Sequence, residues 1–489
     1  MLKYLIFGVF LASMVVVGIL TQKKVKTAED FVIGGRRMGS WLSAFSYVTT
    51  YFSAVIFVGY AGRFGWGFGV SATWIGIGNA VIGTLFAWLL LAERTRRMTA
   101  DMGVSTLAEF FRERYDSKKM EMAAAVIVFI FLIPYSASVY QGLGYILQAF
   151  FSGTFLENIR VSMGLVALIT AVYVFFGGYI STAVNSMIQG IIMVGGVVLI
   201  VVKVLGAVGG FGEGMEILSS ISDKTFGAGA LSSIGGPDPF SLVVLVLMTS
   251  FGTFGLPQMI AKYSGIKSKA AGKRATLYSL VGSLIVSGGA YFMGGFSRAL
   301  AQTGHIEVDP TKLDTVMPRI FQAILSEEVM AILVILMLSA SMSTLAAVVL
   351  VSAPTFSKTI LKTPKLMPMR ILSIVFVLVS YVVAITDTPI VTLMSFSWGA
   401  VSGAFIGPYI WGLYSKKITR AGSWAGMACG LGTVVVGAVL IAVTSSMAEA
   451  TKWAPRLAVL ALAVSMVVTP AASLLTARLS KVPEGAKFV

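Results

Sequence analysis

Cysteine and histidine are almost missing from this chain: there is one of each, Cys429 and His305, in 489 residues. A single cysteine excludes an intrachain disulfide and gives no sign of an oxidising compartment. One cysteine and one histidine exclude the usual transition-metal clusters. Acidic residues are also scarce, 21 against 37 Lys and Arg. All 21 lie in loops or near the ends of apolar segments, so no titratable carboxylate stands at membrane depth, where a proton-coupled carrier usually keeps one. Charged residues together make up only 12% of the chain. No nucleophile, base and acid constellation occurs within the apolar segments, which argues against an enzyme.

What is abundant is apolar surface. Hydrophobic residues form 57% of the sequence and the mean hydropathy is +0.88, far outside the range of soluble domains. The chain is read as an all-α polytopic membrane protein. The net charge of +16 does not point to nucleic acid, because the basic residues sit in short loops rather than in one patch.

At about 20 apolar residues per crossing, thirteen spans are expected, at 3–21, 42–62, 69–92, 121–150, 160–176, 182–205, 240–262, 275–297, 328–352, 369–386, 391–413, 422–444 and 455–477. They are numbered spans 1 to 13. The first has no small-residue cleavage site after it and is read as an uncleaved span. Every second loop is basic, from Lys23, Lys24 and Lys26 through Arg94, Arg112, Lys267 and Lys358 to Arg478. The positive-inside rule places those loops in the cytoplasm of a cell (plasma) membrane protein, with the N-terminus outside and the C-terminus inside. Of the two long external loops, 206–239 and 298–327, the second carries a helix-like stretch at 310–325. His305 in that loop is read as solvated.

Span 9 carries Ser339-Ala340-Ser341-Met342-Ser343-Thr344 inside an apolar run. Ala340, Ser343 and Thr344, at i, i+3 and i+4, place one carbonyl and two hydroxyls on one helix face. Such neutral oxygens suit a small hard cation; they also suit back-bonding to the preceding turn or helix–helix contact. Span 2 reads Ser43-Ala44-Phe45-Ser46-Tyr47-Val48-Thr49-Thr50-Tyr51-Phe52-Ser53, with hydroxyls on every side. Span 7 contains Gly252, Gly255 and Pro257, which should unwind or kink it. Interrupted helices five spans apart fit two inverted repeats of five spans with a midplane binding site. The expected divisions are 1–30 (an added span), 31–205 (spans 2–6), 206–420 (spans 7–11) and 421–489 (spans 12–13).

These residues bear a family resemblance. The run Phe31-Val32-Ile33-Gly34-Gly35-Arg36-Arg37-Met38-Gly39, Gly177-Gly178, Gln189-Gly190, Gly255-Leu256-Pro257-Gln258, Met342-Ser343-Thr344, Ser395-Phe396-Ser397-Trp398-Gly399, Gly407-Pro408 and Thr419-Arg420-Ala421-Gly422 together resemble the sodium:solute symporter family, the carriers of proline, pantothenate, monocarboxylates, sugars and sialic acid. The resemblance covers most of the chain. It implies a leucine-transporter-type five-plus-five core and sodium as coupling ion, held by the carbonyls of Thr49, Phe52 and Ala340 and the hydroxyls of Ser343 and Thr344. The second sodium site of some members falls on Ser186, Ala346 and Ala347, without a carboxylate, so one sodium per cycle is expected. The matching cavity positions are Tyr51, Ser53, Ile56, Thr249, Thr253, Phe254, Ser397 and Trp398. Tyr51 stands where proline carriers show an aspartate. A small carboxylate-bearing solute is expected, a monocarboxylate first, a neutral amino acid or pantothenate as alternatives. Its charge would be held by backbone N–H groups at the helix breaks and by the sodium. A channel or sensor sharing the fold is the reading of a different class. Arg63 is either an interfacial anchor or an outer gate attracting anions.

Overall fold

The structure is a computed structural model that describes residues 32–222, 225–363, 365–386, 388–478 and 482–489, with isolated positions between 5 and 16. Span 1 and Phe31 of the resemblance therefore lie outside the described stretches. Among the described residues, ten helices are long and apolar enough to cross a membrane, with one more as a bent pair.

The difference from the expected thirteen has two sources: span 1 lies outside the described residues, and span 2 is broken, its outer half running on into span 3. One uninterrupted run, Ile56–Asp101, takes in the outer half of span 2 and all of span 3. Gly69, at φ 61, turns it. The Tyr47 hydroxyl, at the inner half of span 2, then reaches the Gly83 carbonyl at 2.6 Å, across 36 residues that a straight helix would spread over about 54 Å. Likewise Ile159–Ala207 is one helical stretch of 49 residues. Its Asn185 amide donates to the Tyr173 hydroxyl at 3.1 Å, although twelve residues of straight helix rise about 18 Å. The chain doubles back between them, which separates spans 5 and 6 as expected.

Both anticipated breaks are present. Span 2 begins as Ser40–Tyr51 and stops at Phe52, whose φ and ψ of −109° and 112° are extended. It resumes as Ile56–Ala61 and Gly62–Phe68. Span 7 runs Pro239–Phe251, tightens into a 3-10 turn at Gly252–Gly255, is extended at Leu256 and restarts as Pro257–Ser264. The two parts are bent by 52°. Proline imposes this: it bars the preceding residue from helical geometry and is at home in a first helical turn.

Spans 9 (Glu327–Thr359) and 11 (Ile390–Tyr414) form the centre, with 89% of their apolar windows buried, against 22% for span 12 (Arg420–Thr444). The outer half of span 2 lies against span 8 backbone to backbone. A Cβ on Gly65 would stand 2.1 Å from the Gly294 carbonyl carbon, so both positions need glycine. Capping follows the sequence, with Ser117, Asn158, Asp238, Ser268 and Thr419 each accepting a backbone N–H of the helix it starts.

On the face bearing the basic loops, here called inner, Arg36 sits at φ 56. Its guanidinium donates to the Thr99 hydroxyl and to the carbonyls of Thr99, Val104 and Ser264, tying the entry to span 2 to the ends of spans 3 and 7. Glu109, on the helix Leu107–Tyr115, pairs with Lys358. Lys262, near the inner end of span 7, is buried: it is 2% exposed, donates to Ser46 Oγ at 2.8 Å and lies 5.0 Å from the Tyr179 ring. On the outer face the helix Val316–Ile324 lies within the expected 310–325, and the loop 206–239 adds a helix, Phe211–Ser220. His305 is exposed and bonded to Thr303.

Candidate functional site

Where span 9 passes the break in span 2, four hydroxyls and several carbonyls converge. Thr344 Oγ1 stands 2.9, 3.2 and 3.1 Å from the carbonyls of Thr49, Thr50 and Ala340. Ser343 Oγ stands 2.9 Å from Thr49 Oγ1 and 2.6 Å from Ser186 Oγ. Thr49 Oγ1 and Ser186 Oγ also face the Phe45 and Thr182 carbonyls, at 2.8 and 2.6 Å. Each hydroxyl has one proton. Four protons thus serve seven oxygen–oxygen contacts of 3.2 Å or less, and the surplus contacts set lone pair against lone pair. A cation relieves such a surplus; an acidic residue is not needed. The group is fully buried, and no cluster of His, Cys, Asp or Glu able to hold a metal occurs among the described residues.

Of the five ion-site residues expected from the sequence, Thr49, Ala340, Ser343 and Thr344 meet here. Phe52 ends the inner half of span 2 one turn further on, its N–H given to Val48. Ser186 joins through Ser343, a member that sequence reasoning left out because it had been matched to a different ion position.

Beside this cluster, between the breaks of spans 2 and 7, lies a narrow cavity of about 20 Å³. Tyr51, Ser53, Ile56, Thr249 and Trp398 line it as expected, together with Phe52, Val55, Tyr60, Asn79, Tyr291 and Met394. Three expected positions point elsewhere. Thr253 Oγ1 donates to the Gly83 and Ser250 carbonyls, Phe254 packs on Phe251, and Ser397 Oγ donates to the Phe131 carbonyl. The first two sit in the 3-10 turn, whose step of about 120° per residue shifts their facing from that of an α-helix; Ser397 neighbours Trp398 and so faces away from it. Met394, one turn before Trp398, and Asn79, an amide deep in span 3, were visible signals.

The cavity wall is aromatic, with Tyr51 stacked on Phe52 at 4.2 Å and Tyr135 edge-on to Trp398. Trp398 is 2% exposed, and its Nε1–H has no partner among the described residues. An indole nitrogen can only donate, so this group awaits an acceptor oxygen. The backbone N–H groups after the break are less free than the sequence suggested: Ala54 gives its N–H to Ser341 Oγ at 2.8 Å, and Val55 to Ser53 Oγ at 3.3 Å.

Comparison with known proteins bears on the whole chain. The family model described as the sodium:solute symporter family matches residues 31–430. The sodium/proline symporter of Salmonella typhimurium is 24% identical over 449 residues, 88% of this chain and 86% of that protein. The Haemophilus influenzae sodium/proline symporter is 26% identical with the same coverage of both chains. Among solved structures, the substrate-bound outward-open state of a sodium-coupled sialic acid symporter superposes with a TM-score of 0.75, covering 98% of each chain at 18% identity. A nucleobase-cation-symport-1 family transporter in a closed conformation reaches 0.58 at 14% identity over 94% of this chain and 98% of that one. Identity this low makes both structural likenesses a matter of fold.

Proposed function

We propose, for a chain that belongs to the sodium:solute symporter family, that its cargo is a compact solute bearing one carboxylate, carried with one sodium ion per cycle. The family is one of sodium-coupled membrane transporters rather than enzymes, so the solute, the stoichiometry and the residues are what is proposed. Sodium binds at Thr49, Phe52, Ala340, Ser343 and Thr344, with Ser186 orienting Ser343. The observation that carries this reading is the excess of oxygen contacts over protons in that cluster. The solute sits at Tyr51, Ser53, Ile56, Thr249 and Trp398, an acceptor oxygen taking the Trp398 Nε1–H.

A monocarboxylate is the lead. The aromatic wall of the central cavity, which has room for about one water until it widens, favours a largely apolar body, and Tyr51 replaces the aspartate of proline carriers. A neutral amino acid is the second reading, favoured by the relatives named sodium/proline symporters. Alternating access then uses the halves 31–205 and 206–420 as moving parts, sodium steadying the outward-open state and solute permitting closure. Both termini follow from the basic loops: the N-terminus outside, the C-terminus in the cytoplasm.

The test is thermal stabilisation of the purified protein by monocarboxylates, amino acids and pantothenate, each in sodium and in potassium. A sodium-dependent rise in Tm with one class identifies both cargo and ion. A rise with sodium alone keeps the ion site and discards the cargo.

A further inference from the structure

A second cavity, on the outer side, is separate from the central one. It has a volume of about 600 Å³ and lies between the outer ends of spans 2, 4 and 5, the loop before Val316, and the turn into span 11. Among its described lining residues, four are cationic, Arg63, Arg160, Lys312 and Arg319, and one is acidic, Asp314. Such an excess draws anions in from solution.

Its inner wall is held loosely. Asp314 Oδ2 accepts the Ile390 N–H at 3.2 Å, while Oδ1 stands 3.6 Å from Arg63 Nη2, too far for a hydrogen bond. Arg63 Nε and Asp314 Oδ1 are both buried without a hydrogen-bond partner among the described residues. Gln141, 5% exposed, is fixed by its amide nitrogen, which donates to the Ala384 and Thr386 carbonyls at 3.0 and 2.9 Å; its Oε1 is left buried with no donor. A long, unsatisfied guanidinium contact and an oriented acceptor therefore share one chamber.

We propose that this chamber is an outer capture site for the carboxylate solute, in which the solute's carboxylate pairs with the Arg63 guanidinium, displacing Asp314, and Gln141 Oε1 accepts from the solute's hydroxyl or ammonium group. The inference rests on the cargo class proposed above. A bidentate carboxylate is a better partner for a guanidinium than a single contact at 3.6 Å. Displacement also has a mechanical result. Arg63 belongs to the outer half of span 2, and Gly59 on that half lies under Ile390, where a Cβ would stand 2.5 Å from the Ile390 side chain. Asp314 links Arg63 to the Ile390 backbone. Capture at Arg63 unties span 2 from span 11 above the central cavity, so arrival of the solute opens the way inward.

The experiment uses the full chain in nanodiscs, carrying Cys429→Ser and Thr386→Cys with a polarity-sensitive thiol fluorophore at the exposed rim. Lactate, pyruvate and L-proline are titrated in potassium buffer, with methyl lactate and prolinamide as probes lacking the carboxylate. At least one carboxylate is expected to give a saturable response that its ester or amide does not. Arg63→Gln should weaken it tenfold or more, Arg63→Lys less, and Asp314→Asn should strengthen it several-fold, an opposite change that loss of folding cannot mimic. An equal response from ester and acid, or an unchanged one in Arg63→Gln, overturns the capture site. Sodium-dependent uptake in the same variants separates the two readings. If a carboxylate is transported and Arg63→Gln leaves its KM unaltered, the capture site falls and the function stands. If no carboxylate is transported yet the response still needs Arg63, the cargo reading falls and the site remains.

Discussion

A hydroxyl carries one proton and two lone pairs, and at Ser343 and Thr344 that ratio decides what the residue can hold. Ser343→Ala or Thr344→Ala is expected to raise the sodium concentration for half-maximal uptake tenfold or more; an unchanged sodium dependence would place the ion elsewhere. Ser186→Ala, which touches the cluster only through Ser343, should shift it less, and the Hill coefficient for sodium should stay near one in all three. At the cavity, Trp398→Phe keeps the ring and removes the donor. One hydrogen bond of about 1–2 kcal/mol corresponds to roughly a tenfold rise in solute KM. Sequence periodicity could show the face shared by Ala340, Ser343 and Thr344, because those residues are neighbours on one helix. It could not show that Ser186 joins them, since that contact spans 157 residues and exists only once span 6 folds back.

At the scale of the helix, the two breaks have different origins and were unequally legible. Span 7 breaks because of its own residues, two glycines and a proline. Span 2 has neither glycine nor proline at Phe52-Ser53. Its break is stabilised from outside, by Ser341 of span 9 taking the Ala54 N–H, and by Ser53 capping Val55. The scattered hydroxyls announced something irregular without saying where. Ser341→Ala strands a buried N–H and should cost about 1–3 kcal/mol, read as a lower midpoint in chemical denaturation. The crossing of spans 2 and 8 is equally exacting. Gly65→Ala pushes a methyl into the Gly294 backbone and should destabilise by about 1–3 kcal/mol. It should also raise the thiol reactivity of a cysteine placed at Thr386.

For the whole molecule, energy and pH supply the checks. One sodium entering across 100 mV releases about 2.3 kcal/mol, and a tenfold gradient about 1.4 kcal/mol. With a monoanion the one-to-one cycle moves no net charge; with a zwitterion it moves one. Solute-induced current across proteoliposomes therefore separates the two cargo readings: none is expected for the lead. On the inner face, burial works to raise the Glu109 carboxyl, but the Lys358 ammonium and the N–H and hydroxyl of Ser105 outweigh it and hold the carboxyl below its ordinary value. Its contribution to stability is present above the ordinary carboxylate range and lost as pH falls through the lowered value. Glu109→Gln should flatten that acid dependence and cost roughly 2 kcal/mol at neutral pH.

The outer and inner faces are tied by different chemistries. Outside, burial pushes the Asp314 carboxyl above its ordinary value, and the Arg63 guanidinium restores only part of it. Acid weakens that contact by protonating Asp314, and dissolved salt screens it. Inside, the Arg36 guanidinium closes on a hydroxyl and three peptide carbonyls, none of which titrates. Acid therefore acts on the Asp314 contact, whereas the Arg36 contacts hold no acceptor that titrates. A change of pH or ionic strength on one side of the bilayer would thus be felt unequally by the two halves of the protein.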